Sequence, residues 1–290
     1  MAEPYPTCYL NGAFGPLTDA RISPLDRGFL FADGVYEVIP VHRSRPFLLR
    51  AHLQRLDASL AAIRLPNPHD EREWHSILQQ LATAAGGAEM LLYLQVTRGA
   101  ETGRNHLFPR PASPTVFAFA SPYPLPSAKT LDEGLGAITL DDIRWARCDI
   151  KSVALLANVL LRQQAADRGA DEALLVRDGL LLEGSSSSVL LCIGGTLVTP
   201  PNDYRILPGT SRDAVLELAQ GWLPSQVCPL EARELTSCDE VWIASAGRGV
   251  LPVTRIDDAP VGTGRPGPLW REMYDRLQQH LDQIAATPAL

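Results

Sequence analysis

The chain has 290 residues, 26 Lys+Arg against 33 Asp+Glu, and a formal charge of −7, with 46% hydrophobic and 20% charged residues. That is an ordinary globular composition, long enough for one large or two modest domains, and its acidic balance argues against a nucleic-acid partner, which needs a basic face. The five cysteines (Cys8, Cys148, Cys192, Cys228, Cys238) are scattered without a C-x-x-C pair, so reduced thiols in a cytoplasm fit better than a disulfide framework or a zinc site.

Residues 1–12 lack a basic segment followed by an apolar stretch, so no signal peptide is expected, and no run of 18 apolar residues occurs, which excludes membrane insertion. In chain order, 35–42 reads as a strand. The span 49–63 reads as a helix with Leu49, Leu53, Leu56, Leu60 and Ile63 on one stripe. Residues 74–85 form a second helix stopped by Gly86-Gly87, and 91–97 and 115–120 read as strands. Three prolines within 121–126 cannot carry a helix or a sheet ladder, and the segment reads as an interdomain linker. Beyond it, 135–143 reads as a strand and 152–168 as a helix ending at Gly169. Two hairpins follow, 172–177 with 180–182 around Asp178-Gly179 and 189–193 with 196–198 around Gly194-Gly195. A helix over 211–220, a strand over 241–244 and an amphipathic helix over 268–284 close the chain. Hairpins outnumber helical crossovers, so the reading is two α+β domains, 1–120 and 127–290, joined by 121–126.

Several motifs carry little chemistry. Gly262-x-Gly264-x-x-Gly267 has no room for a βαβ unit and is a loop. The serines of 185–188 lack the second glycine of a nucleophile elbow, and the six histidines show no metal-ligand spacing, so no metal is expected. Three features remain open between a plain and a functional reading. Thr210 with Asp213 after Pro208-Gly209 resembles a capping box, whose helix start is either an ordinary cap or an anion site. His52, Arg55 and Ser59 share one flank of their helix, where a basic residue either snorkels to water or reaches a cleft. Of 26 basic residues only Lys129 and Lys151 are lysines. Lys151 sits where a loop runs into a helix, and is either an exposed cation or a Schiff-base nucleophile.

Taken together, Asp26-Arg27-Gly28, Asp33-Gly34-Val35-Tyr36-Glu37, His52-Leu53-Gln54-Arg55-Leu56, Asp149-Ile150-Lys151-Ser152, Glu183 to Ser187 and Leu207-Pro208-Gly209-Thr210 resemble the class IV aminotransferases over nearly the whole chain. The resemblance implies the fold type IV architecture of pyridoxal-phosphate enzymes, α+β, with a smaller N-terminal α/β domain and a larger C-terminal cofactor domain with a barrel-like sheet. It implies that Lys151 holds pyridoxal 5′-phosphate through a Schiff base and shuttles the substrate's α-proton. Glu183 would contact the ring nitrogen, where a carboxylate favours the protonated pyridinium. Arg55 would grip the cofactor phosphate together with Gly209 and Thr210, and Ser187, Leu207, Ser245 and Ala246 complete the expected cofactor contacts.

Within the family, 95–99 followed by Gly103-Arg104-Asn105-His106 resembles the D-amino acid aminotransferases. There an Arg-x-His pair, here Arg104 and His106, joins the tyrosine matched by Tyr36 in holding the substrate α-carboxylate. Because that pair reaches in from the neighbouring subunit, the resemblance implies a homodimer acting in the cytoplasm on small amino acids and 2-oxo acids. The alternatives on the same fold are a branched-chain L-amino acid or (R)-amine transaminase, or an enzyme like the aminodeoxychorismate lyases; a non-catalytic cofactor-binding relative would be expected to have lost Lys151 or Glu183. Two departures stand out. Ser245-Ala246-Gly247 occupies the place of Ser-Thr-Thr, removing a hydroxyl that contacts the phosphate, with Arg248 directly after it, and Ser188 stands where asparagine is common. Weaker cofactor retention is expected.

Overall fold

The computed structural model describes residues 3–286. The chain divides into two compact units. One holds the chain up to Pro124 together with Ile150–Ala154 and the end of the last helix from Ile284, and the other holds Leu125–Asp149 and Leu155–Gln283.

The first unit is built on six antiparallel strands, β1 (Thr7–Leu10), β2 (Ala13–Pro16), β3 (Gly34–His42), β4 (Arg45–Pro46), β5 (Met90–Thr97) and β6 (Thr115–Pro122), in the order β2-β1-β6-β5-β3-β4. Alternation sets the faces: in β5, Met90, Leu92, Leu94 and Val96 are buried while Leu91, Tyr93 and Gln95 are half-buried. After α1 (Arg27–Phe31), helices α2 (Leu49–Ala62) and α3 (Glu71–Ala85) cover the buried face with Leu53, Leu56, Leu60, Trp74, Leu78 and Leu81. Helix α3 starts three residues earlier than the apolar periodicity indicates, because Asp70 accepts from Glu73 N–H and Glu73 accepts in return from Asp70 N–H.

The second unit adds α4 (Ala128–Glu133), β7 (Leu135–Asp141), α5 (Leu156–Asp167), β8 (Glu172–Arg177), β9 (Leu180–Gly184), β10 (Ser188–Ile193), β11 (Thr196–Thr199), α6 (Thr210–Ala219), β12 (Ser225–Val227), β13 (Leu230–Glu231), β14 (Glu240–Ser245), β15 (Gly249–Ile256), β16 (Ala259–Pro260) and α7 (Pro268–Ala286). Its ten strands make one mixed sheet, β12-β11-β10-β14-β15-β7-β8-β9-β13, with β16 on β15, curled as a half-barrel. Both expected hairpins form. Asp178 and Gly179 have φ of +53° and +77°, and Gly194 and Gly195 have φ of +54° and +75°, the positive pair that a two-residue turn between twisted strands requires.

Three expectations need correction. Ser121 and Pro122, read as linker, belong to β6 opposite Leu91 and Met90. A proline at a strand end removes only one ladder donor, so it is tolerated there. The helix expected from Ser152 begins instead at Leu156. Lys151 O accepts from Tyr36 N–H at 3.0 Å and Val153 N–H donates to Gly34 O at 3.1 Å, so this backbone is committed to β3 and cannot join a helix. Helix α6 is capped by Gly209 with no side-chain cap bond, so Thr210 is its first residue and not its cap.

Among the described residues, no helix is long and apolar enough to cross a membrane, and no group of three His, Cys, Asp or Glu side chains could hold a metal. Leu60 is fully buried in the first unit's core. Leu60→Ala is expected to cost about 3 kcal/mol in urea unfolding, with the slope unchanged.

Candidate active site

In the first unit, the extended stretch at Lys151 places its amine against the start of β3, with Nζ 4.3 Å from the centroid of the Tyr36 ring. Lys151 N–H donates to Ser59 Oγ at 3.2 Å, and Ile150 is buried in the core. The flank of α2 anticipated from spacing is therefore real. Ser59 holds the lysine's backbone, while His52 and Arg55 converge on Glu37 of β3. Arg55 donates through Nε to Glu37 Oε1 and through Nη2 to Oε2, both at 2.8 Å, and His52 Nδ1 lies 2.7 Å from Oε2. Burial alone would raise the pKa of Glu37, but Arg55 and then His52 outweigh it and hold the carboxyl down at about 2. Burial pushes the His52 pKa down, against Glu37, so the ring is neutral and its Nδ1–H is the donor.

Arg104 and His106 stand exposed on the loop between β5 and β6. The Arg104 guanidinium lies 4.7 Å from the Phe31 ring centre and the His106 ring 5.2 Å from it, whereas Tyr36 stacks on Tyr93 at 5.8 Å.

In the second unit, Glu183 is the penultimate residue of β9 and lies inside a buried ionic group. Arg144 Nη1 donates to Glu183 Oε1, while Nε and Nη2 bind Asp142 at 2.9 and 3.0 Å. Leu207 N–H lies 3.3 and 3.2 Å from the two Glu183 oxygens. Burial raises the Glu183 pKa more than Arg144 and the Leu207 N–H lower it, so its anionic form is sensitive to any further donor set against it. Ser187 Oγ donates to buried Glu172 at 3.1 Å, which also accepts from Ser185. Arg248 Nη1 lies 3.5 Å from Glu172. Ser245 ends β14 and Ala246 begins the turn beyond it.

Residues Gly209 and Thr210 form the start of α6. A Cβ on Gly209 would meet Ser188 Oγ, so a larger residue there would force the serine hydroxyl to move. One turn on, Arg212 is 3% exposed, and its Nε is the one buried side-chain N or O without a hydrogen-bond partner among the described residues. A helix start without a side-chain cap, with an unsatisfied guanidinium nitrogen close by, suits a phosphate. Within the second unit these groups fit the phosphate, and the Glu183 carboxylate the ring nitrogen, of pyridoxal phosphate; within the first unit the Lys151 amine suits its aldehyde.

Sequence reasoning missed Arg144 and Asp142, which secure Glu183, and Glu172, which holds Ser185 and Ser187. Nothing in their local spacing distinguishes them from other charged residues. They are found only when the sheet brings β7, β8 and β9 side by side.

The whole fold resembles solved aminotransferases. The branched-chain amino acid aminotransferase of Escherichia coli matches at a TM-score of 0.90 and 23% identity over 95% of this chain and 94% of its own. The fold IV-transaminase CpuTA1 of Curtobacterium pusillum matches at 0.81 and 28% identity over 93% of this chain and 92% of its own. The architecture is thus fold type IV, as the sequence implies. The family model described as amino-transferase class IV matches residues 34–256, and the chain belongs to that family of pyridoxal-phosphate enzymes. Among curated proteins, the D-alanine aminotransferase of Bacillus licheniformis is 39% identical over 272 residues, 93% of this chain and 95% of its own.

Because its folded-state pKa is depressed, Glu37 contributes stability that is present above about pH 4.5 and is lost as pH falls toward about 2. In acid unfolding followed by circular dichroism, the loss across that window is expected to be smaller in Glu37→Gln than in the unaltered protein.

Proposed function

We propose that this class IV aminotransferase moves the amino group of a D-amino acid such as D-alanine to a 2-oxo acid such as 2-oxoglutarate, in two half-reactions. The observation that carries this reading is the placement of Lys151. It is one of only two lysines, fixed to β3 by its backbone with its amine over Tyr36. The D-alanine aminotransferase at 39% identity and the Arg104-x-His106 pair support the handedness.

Pyridoxal phosphate, when bound, supplies a ring that accepts the electron pair left when the substrate's α-hydrogen departs as a proton. Lys151 Nζ would take that proton from the substrate's α-carbon and deliver it to the cofactor's C4′ carbon. Glu183, oriented by Arg144 and Leu207, accepts from the ring nitrogen and favours its protonated form. Gly209 and Thr210 offer backbone N–H groups to the phosphate, and Arg55, oriented by Glu37, adds a positive charge. Ser187, Leu207, Ser245 and Ala246 line the same cofactor. Tyr36, Arg104 and His106 hold the substrate α-carboxylate, and fixing it relative to Lys151 decides which enantiomer presents its hydrogen to the amine.

The protein acts as a homodimer in this reading, the Arg104 and His106 of each chain serving the neighbour's site. Leu156, Val159 and Leu160, more than half exposed on α5, support an apolar contact surface. The five cysteines are free thiols, four of them buried, which supports a reducing cytoplasm.

The test is the yellow absorbance of the cofactor-loaded enzyme, titrated with each enantiomer of alanine. Loss with D-alanine alone, restored by 2-oxoglutarate, is expected. Loss with L-alanine alone would overturn the handedness. Borohydride reduction followed by peptide mapping is expected to label Lys151, and a label on Lys129 would overturn its role. Ala246→Thr restores the missing hydroxyl and is expected to slow cofactor loss on dilution several-fold, read from the same absorbance.

A further inference from the structure

The loop between β5 and β6 carries Arg104 and His106 without helix or strand of its own, yet one side chain gathers its backbone. Arg27, at the start of α1, is 4% exposed and reaches beneath the loop. Its Nη1 donates to the Asn105 carbonyl at 2.5 Å, to Glu101 Oε1 at 2.6 Å and to the Leu107 carbonyl at 3.2 Å, and its Nη2 to the His106 carbonyl at 3.4 Å. Three consecutive peptide carbonyls, 105 to 107, therefore converge on one guanidinium.

The guanidinium is itself held in place. Arg27 Nε donates to Asp33 Oδ2 at 2.8 Å, and Arg98 grips the same carboxylate through Nε at 2.8 Å and Nη2 at 3.0 Å. Arg98 lies over the Phe108 ring at 3.7 Å, just past the loop's carbonyl run. Arg27 N–H donates to Gly99 O at 2.9 Å, and Asp26 accepts from Thr115 Oγ1 at 2.6 Å, tying the same helix start to both ends of the loop. The Phe31 ring, 4.9 Å from Arg27, also touches Arg104 and His106.

We infer that Arg27 is a positioning residue for α-carboxylate recognition: it fixes the backbone at 105–107 so that Arg104 and His106 are presented in one arrangement. This rests on the reading of those two residues as the carboxylate clamp. A planar fork with five donors serves several carbonyls at once, whereas the compact ammonium of lysine, with three donors on a flexible stem, cannot reproduce it.

The experiment uses the cofactor-loaded enzyme with Arg27→Lys and Arg27→Met, each alone and combined with Arg104→Ala. For D-alanine, KM is expected to rise at least tenfold in Arg27→Lys and more in Arg27→Met, with kcat within threefold. In the Arg104→Ala background, Arg27→Lys is expected to raise KM by a clearly smaller factor than in the unaltered enzyme, because one of the two groups it positions is gone. Trypsin nicking after Arg104 is expected to be several-fold faster in Arg27→Lys. If Arg104→Ala raises KM while Arg27→Lys leaves both KM and nicking unchanged, the positioning role is overturned. If Arg104→Ala itself leaves KM unchanged, the clamp reading fails, and the nicking rate separately decides whether Arg27 orders the loop. Failure of Arg27→Lys to fold would assign the residue to the fold at large and overturn the proposal.

Discussion

Two main-chain hydrogen bonds hold Lys151 to the first unit, one accepted by its own carbonyl from Tyr36 and one donated by Val153 to Gly34. Beyond them the chain turns into α5, and before them it carries the buried Ile150. A lysine side chain has four rotatable carbons and settles nothing alone. Its backbone, fixed on a strand whose other face is packed against α2, restricts the amine to the neighbourhood of Tyr36. Glu37 belongs to the same strand. Alternation turns it to the face opposite Tyr36, where α2 meets it with His52 and Arg55.

Charge inside this protein is managed by arginine. Five of the buried or largely buried acids, Asp33, Glu37, Asp142, Glu172 and Glu183, are approached by arginine side chains, while Asp26 and Glu240 are held by hydroxyl, indole and backbone N–H donors. A planar guanidinium suits this because it binds carboxylates through two parallel bonds and keeps further donors for carbonyls, as Arg27, Arg98 and Arg144 all do. The scarcity of lysine thus matches the structure.

The local elements were legible because their signals are local. The Asp178-Gly179 and Gly194-Gly195 turns, the leucine stripe of α2 and the glycine stop of α3 all act within a few residues. Errors fell where distant segments decided the outcome. Residues 152–155 have apolar character suited to a helix, but their first backbone groups are taken by β3. Pro122 looks like a breaker, yet stands in a register that needs no donor from it. The hairpin of β1 and β2, the helices α1 and α4 and the long strand β15 drew no prediction, since their stability comes from neighbours rather than from period or propensity.

The sequence by itself determined the family, the fold type and the cofactor, because the motifs that carry them are matters of chemical identity and spacing along the chain. The tertiary structure alone decided which charges meet. The fork of Arg55 on Glu37, the hold of Arg144 on Glu183 and the convergence of three carbonyls on Arg27 join residues 18, 39 and about 80 positions apart. The physical reason is that a buried charge must find its counter-charge wherever folding brings one within hydrogen-bond reach, and that distance is written in the sheet's register rather than in any local pattern.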